Sequence, residues 1–131
     1  MAKLLFIVKR ARPDCETAIS FLTRRVSKSD EDDWEKMRRV LLWCKNTISD
    51  VRVIGATSLT DVFTWIDTAH DVDSDTRSHT RGIMSMGVGT LHARSGVQKL
   101  NTKSSTEAEL VGVSEYLPYN IWIINFMYTQ G

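Results

Sequence analysis

Between Asn101 and Leu117 the chain passes from a polar run, Asn-Thr-Lys-Ser-Ser-Thr, into residues whose apolar members recur at helical spacing. A loop running into a capped helix is the structure such a junction dictates. Ser104 followed three residues later by Glu107 forms a capping box, in which each side chain can satisfy an orphan backbone N–H. Leu110, Val113 and Leu117 give that helix an apolar face. The helix is expected to stop near Leu117, because Pro118 lacks the N–H an interior position needs, and Pro118 is expected to open the next helix. Glu109 lies at the edge of the apolar face, where a carboxylate is costly unless a cation compensates it. Two readings follow. In one, the glutamates of a surface helix complement its positive end. In the other, Glu109 is one arm of a metal-binding acidic cluster. The second needs another carboxylate on a rigid element. Val62-Phe-Thr-Trp-Ile66 is β-branched and aromatic, part of a strand predicted over 58–67 that ends on Asp67.

Length and composition set the frame. A chain of 131 residues, 42% hydrophobic and 25% charged, has material for a packed core. The net charge of +1 argues neither for nor against nucleic acid. The first fifty residues lean basic and the remainder leans acidic, an arrangement suited to a backbone-binding platform beside a metal site. Cys15 and Cys44 are far apart in sequence and indicate no disulfide framework or metal-ligand spacing. No apolar run is long enough to span a bilayer, so no membrane partner is expected. Leu4–Val8 is too short for a signal-peptide core, which makes a retained intracellular chain, not a secreted one, the expectation.

The N-terminal part reads as helical. Met1–Ala11 fits a short helix or a strand. Pro13 suits the start of a helix carrying Cys15, Ala18, Ile19, Leu22 and Val26 on one face. Ser29 or Asp30 can cap a further helix with Trp34, Met37, Leu41, Cys44 and Ile48 on its stripe. The stripes through Ile19 and Leu22 and through Met37 and Leu41 are predicted to face each other in an antiparallel pair. Arg38 and Arg39 lie off that stripe, on a solvated face or against phosphates. Periodicity changes from helical to alternating across residues 50–55. The alternating aspartates Asp71, Asp73 and Asp75 resemble the start of a calcium loop, but Thr76 and Gly82 stand where its glycine and closing glutamate belong. Residues 81–86 and 90–94 flank Gly87-Val-Gly89, as in a hairpin.

Taken together, Trp65-Ile-Asp67, Asp75-Thr-Arg-Ser-His-Thr80 and Lys103-Ser-Ser-Thr-Glu-Ala-Glu109 resemble the ribonuclease H domain of copia-type retrotransposon polyproteins. Arg10-Ala-Arg-Pro-Asp14, Phe21-Leu-Thr-Arg-Arg-Val26, Asp32-Asp-Trp34 and Arg38-Arg-Val-Leu41 are similar to the end of the reverse transcriptase that precedes it. The resemblance implies an α+β or α/β fold with a helical segment over 1–50 and a truncated ribonuclease H-like domain with a partial mixed sheet over 51–131. It carries two metal-binding catalytic carboxylates onto Asp67 and Glu109. Mg²⁺ is the implied ion, with Mn²⁺ as substitute. Lys99 and Lys103 would face the phosphates of an RNA–DNA hybrid. The implied partners are that hybrid or another nucleic acid and the remainder of the polyprotein, in a cytoplasmic particle or the nucleus. The family's later catalytic carboxylates fall beyond Gly131, and Arg81 stands where a small residue is usual. The expectation is therefore a polyprotein fragment inactive alone. A non-catalytic nucleic-acid-binding or protein-interaction module on the same scaffold is the alternative.

Overall fold

A computed structural model of the chain describes residues 1–70 and 77–130, so the aspartates of the calcium-loop resemblance, Asp71, Asp73 and Asp75, lie outside the described residues. The chain divides into two compact units, Met1–Arg52 and Val53–Gly131. It combines helices with an antiparallel sheet, which is α+β, the first of the two classes that the resemblance implies.

The first unit is helical. It holds α1 (Ala2–Arg10), a 3-10 turn over Pro13–Cys15, α2 (Glu16–Arg24), a second such turn over Val26–Lys28, and α3 (Glu31–Asn46). Asp30 caps α3 by accepting from the Asp33 N–H at 2.8 Å, and Asp33 returns the bond by accepting from the Asp30 N–H at 3.2 Å. Arg25 then clamps the box, donating from Nε to Asp33 at 2.7 Å and from Nη2 to Asp30 at 2.8 Å. The apolar centre consists of Val8, Cys15 and Ile19, with Leu4, Leu5, Met37, Val40 and Cys44 packed against it. The stripe of α3 that reaches this centre is therefore Met37, Val40 and Cys44. Leu41, predicted to face α2, is 45% exposed, and Trp34 and Ile48 lie open as well. One residue of phase explains the difference: position 40 completes the i, i+3, i+7 set from Met37, and Leu41 falls at its margin.

The second unit is a sheet with one long helix on it. The two-residue β1 (Gly55–Ala56) pairs antiparallel with β4 (Gly87–Val88), and an isolated parallel bridge joins Ala56 to Met86. The main sheet contains β2 (Phe63–Ala69), β3 (His79–Ser85) and β5 (His92–Val97), antiparallel in the order β2-β3-β5. The predicted hairpin forms around Gly87 and Gly89, whose φ angles of 108° and 70° favour glycine. Residues 58–62 do not join β2. Ser58 and Thr60 bond each other and form a hydroxyl turn instead, with the Thr60 N–H on Ser58 Oγ at 3.2 Å.

α4 spans Ser105–Gln130 without interruption. The expected stop at Leu117 does not occur, and Pro118 sits inside the helix. Contacts on both sides of the proline hold the helix to the sheet. Before it, the Tyr116 hydroxyl donates to Gly82 O at 3.0 Å and Arg94 O at 2.6 Å. After it, Tyr119 stacks on His92 at 5.0 Å and Asn120 accepts from Thr64 Oγ1 at 2.6 Å. These anchors offset an interior proline's cost of about 3 kcal/mol. The helix lies close because glycines lie beneath and within it. A Cβ on Gly82 would come within 2.3 Å of the Tyr116 ring, and one on Gly112 within 2.5 Å of Thr68 Cγ2.

Candidate functional site

Strand alternation decides where the first candidate carboxylate points. Thr64, Ile66 and Thr68 alternate with Phe63, Trp65 and Asp67 along β2. Across the β2–β3 ladder their partners are Met84, Gly82 and Thr80 on one face, and Ser85, Ile83 and Arg81 on the other. The first face is the one α4 covers, through Gly112 on Thr68 and Thr80, Tyr116 on Gly82 and Asn120 on Thr64. Asp67 therefore lies on the open face, inside β2 and not at the strand end predicted for it. Its neighbours there include Phe63 and Trp65, stacked at 6.1 Å, and Ile83, all exposed.

Asp67 is paired on that face with its cross-strand partner. Arg81 donates from Nε at 2.7 Å and from Nη2 at 2.5 Å, both to Asp67 Oδ2. A guanidinium is a permanent cation, and both its donors are directed at one carboxylate oxygen. The two side chains remain 57% and 62% exposed, so the pair is a surface one.

Glu109 lies near the start of α4, the helix over the opposite face, and is exposed. The next residue inward, Ala108, is fully buried, and its carbonyl accepts from Gln98 Nε2 at 2.7 Å. Asp67 and Glu109, expected to bracket one metal, are thus carried on the open strand face and on the helix over its reverse. Glu107 has the structural task expected of it, in a shifted form. Its own N–H donates to Ser104 Oγ at 3.2 Å, while its carboxylate accepts from the N–H of Lys103, not Ser104, at 2.7 Å. Lys99 and Lys103 are exposed.

Buried polar groups that sequence reading passed over hold the unit together. Gln98 is fully buried and joins β3 to α4 by donating to Thr80 Oγ1 at 2.9 Å as well as to Ala108 O. Ser78 Oγ lies 2.7 Å from Thr102 Oγ1 and 3.1 Å from His70 Nδ1, which ties the residue after β2 to the one before β3 and to the approach to α4. Tyr116 is 2% exposed, and burial pushes its phenol up to about 12. Nothing in the pattern around Gln98 or Tyr116 distinguishes them from solvated polar residues. The one signal is Gly82, a glycine inside a strand, which marks close approach by another element.

Among the described residues no group of three or more His, Cys, Asp or Glu side chains could hold a metal ion. A two-metal centre needs several carboxylates around both ions. One candidate here is already compensated by a guanidinium, and the other is carried on the helix over the opposite face. The described residues do not fit such a centre, and no hydrolytic step follows from them. No described helix is long and apolar enough to cross a membrane.

Over 132 aligned positions the chain is 25% identical to a retrovirus-related Pol polyprotein from transposon TNT 1-94 of Nicotiana tabacum. The match covers 100% of this chain and 10% of that protein, so the chain spans about a tenth of the relative's length. This relates the chain to a segment of a retrotransposon polyprotein. No family model matches the sequence, and no solved structure matches it.

Proposed function

We propose that this chain is the ribonuclease H-like segment of a copia-type retrotransposon polyprotein, led by helices from the end of the reverse transcriptase, and that alone it does not hydrolyse RNA–DNA hybrids. The observation that carries the reading is the similarity to a transposon Pol polyprotein along the whole chain. The β2–β3 hairpin and the capped start of α4 support it, since they carry the motif residues Asp67 and Glu109 on a strand and a helix start. The resemblance assigns those two positions to Mg²⁺ or Mn²⁺ in the intact family site, whereas in this chain they are carried on opposite sides of the sheet. In this chain Arg81 answers the charge of Asp67. Lys99 and Lys103 are the proposed contacts to hybrid phosphates, and the rest of the polyprotein is the proposed protein partner. The proposed setting is intracellular, a cytoplasmic particle or the nucleus.

The Asp67–Arg81 pair favours a second reading, in which the scaffold binds nucleic acid or protein without catalysis. Cation dependence separates the two. The chain is incubated with a labelled RNA–DNA hybrid in Mg²⁺ or Mn²⁺, beside Asp67→Asn and Glu109→Gln. No cleavage is expected from any of the three. Cleavage by the parent chain that both substitutions abolish overturns the claim of inactivity. Hybrid binding that needs no divalent ion and weakens with salt favours the second reading. Binding lost on Asp67→Asn and dependent on the ion favours a residual metal site.

A further inference from the structure

Cys15 ends the 3-10 turn before α2, and Cys44 lies near the end of α3. Although 29 positions apart, their Sγ atoms stand 3.8 Å from each other, and both thiols are free. Both belong to the packed centre of the helical unit, Cys15 beside Val8 and Ile19 and Cys44 against that cluster. Close packing of helices, not a mobile surface, sets their separation. A disulfide needs a sulfur–sulfur distance of about 2.05 Å, so the two sulfurs have to move closer before the bond forms.

We propose that Cys15 and Cys44 form a modification site, a dithiol that a hydroperoxide converts to an intramolecular disulfide joining the 13–15 turn to α3. The pair is unequal. Cys15 is 4% exposed and donates towards Asp14 Oδ2 at 3.5 Å. Burial, with the Asp14 charge adding to it, pushes the Cys15 thiol up to about 12. Cys44 is half-buried and is the sulfur that an oxidant reaches first. Its thiolate attacks one peroxide oxygen, the O–O bond breaks, and the departing hydroxide takes up the thiol's proton. The products are a Cys44 sulfenic acid and one water. The Cys15 sulfur then attacks the Cys44 sulfur, the S–O bond breaks, and hydroxide leaves with the Cys15 proton as a second water. Two thiols are oxidised to one disulfide, and with hydrogen peroxide two waters are the only by-products. The cross-link encloses α2 and most of α3. It restricts the unfolded chain and raises the unfolding temperature of the helical unit.

The full chain is treated with hydrogen peroxide, in buffer and in urea, then examined by intact mass and peptide mapping. The expected product is a monomer about 2 Da lighter in which one peptide links Cys15 to Cys44, with the mass restored by dithiothreitol. The cross-link is expected to form at least about tenfold faster in buffer than in urea, because folding supplies the proximity. Cys44→Ser, at a half-buried position, should retain the fold and lose the cross-link. Equal rates in buffer and urea overturn the proposal. So does a product carrying only sulfinic or sulfonic acids, or one linked only between chains.

Discussion

Arg81 places both Nε and Nη2 on a single oxygen of Asp67, directly across the β2–β3 ladder. Cross-strand opposite charges are a common stabilising element of sheets, and this register aligns the two residues on the open face. The contact therefore serves the sheet and neutralises the carboxylate at once. Because the pair is well exposed, its energy is small. Arg81→Ala is expected to change unfolding free energy by less than about 1 kcal/mol, and a double-mutant cycle with Asp67→Asn should give a coupling of about 0.2–1 kcal/mol that fades with added salt. Urea titrations of the four chains measure it. A salt-independent coupling of several kcal/mol would show the pair to be buried in solution.

Tyr116 fastens α4 to the sheet through two carbonyls, Gly82 O and Arg94 O. Tyr116→Phe keeps the ring and leaves those carbonyls without the hydroxyl, at an expected cost of about 1–3 kcal/mol. The same residue makes the sheet unit sensitive to alkali. Its folded pKa is raised, from 10.0 to about 12, so the folded state holds the proton more tightly than the unfolded state. That contribution is fully present below pH 10.0 and is lost as the pH rises from there towards about 12. Unfolding free energy from urea titrations followed by far-ultraviolet circular dichroism across this window should show a downward slope in the parent chain that is shallower in Tyr116→Phe. Parallel slopes would contradict the assignment.

Gly82 and the Tyr116 ring occupy adjoining space, with room for no side chain between them. Gly82→Ala would set a methyl carbon 2.3 Å from a ring carbon of a residue anchored at both faces of the contact. Overpacking of this kind costs about 1–3 kcal/mol. The companion Gly96→Ala has open space around its Cβ and should be much milder. Thermal unfolding of the two variants side by side tests the contact, and equal losses would show that α4 does not lie where it is described.

How much of this was legible in the sequence depends on how local the determining force is. The cap of α3, the start of α4 and the Gly87–Gly89 hairpin are set within a few residues; the pattern shows the last two and narrows the first to Ser29 or Asp30, of which the structure uses Asp30. Pro118 and Leu41 depart from the sequence expectation because tertiary contacts decide them. Anchors on both sides of Pro118 keep the helix intact, and one residue of helical phase exchanges Leu41 for Val40 at the core. The Asp67–Arg81 pair depends on strand register, and the Cys15–Cys44 contact on the packing of α3 against the turn before α2. Neither distance is encoded by spacing. Gln98, buried with both N–H groups satisfied, looks in sequence like any loop amide.

The helical unit should be the acid-sensitive one. Hydrogen bonds from Arg12 hold the Asp14 carboxyl well below its ordinary value, with the Trp43 indole N–H adding a bond at 2.7 Å. Arg25 does the same for Asp33. A carboxylate whose folded pKa is depressed contributes stability above its unfolded value of 3.8 and loses it as the pH falls through the folded value. The loss is therefore expected below pH 3.8, with neither residue contributing to any change between pH 5 and 8. Asp14→Asn and Asp33→Asn should be less stable than the parent at neutral pH, and the gap should narrow as the solution is acidified. Far-ultraviolet circular dichroism in urea at stepped pH, read for helix loss, gives the measurement. A gap that stays constant down to the lowest pH would mean that these carboxylates stabilise the unit by their shape and not by their charge.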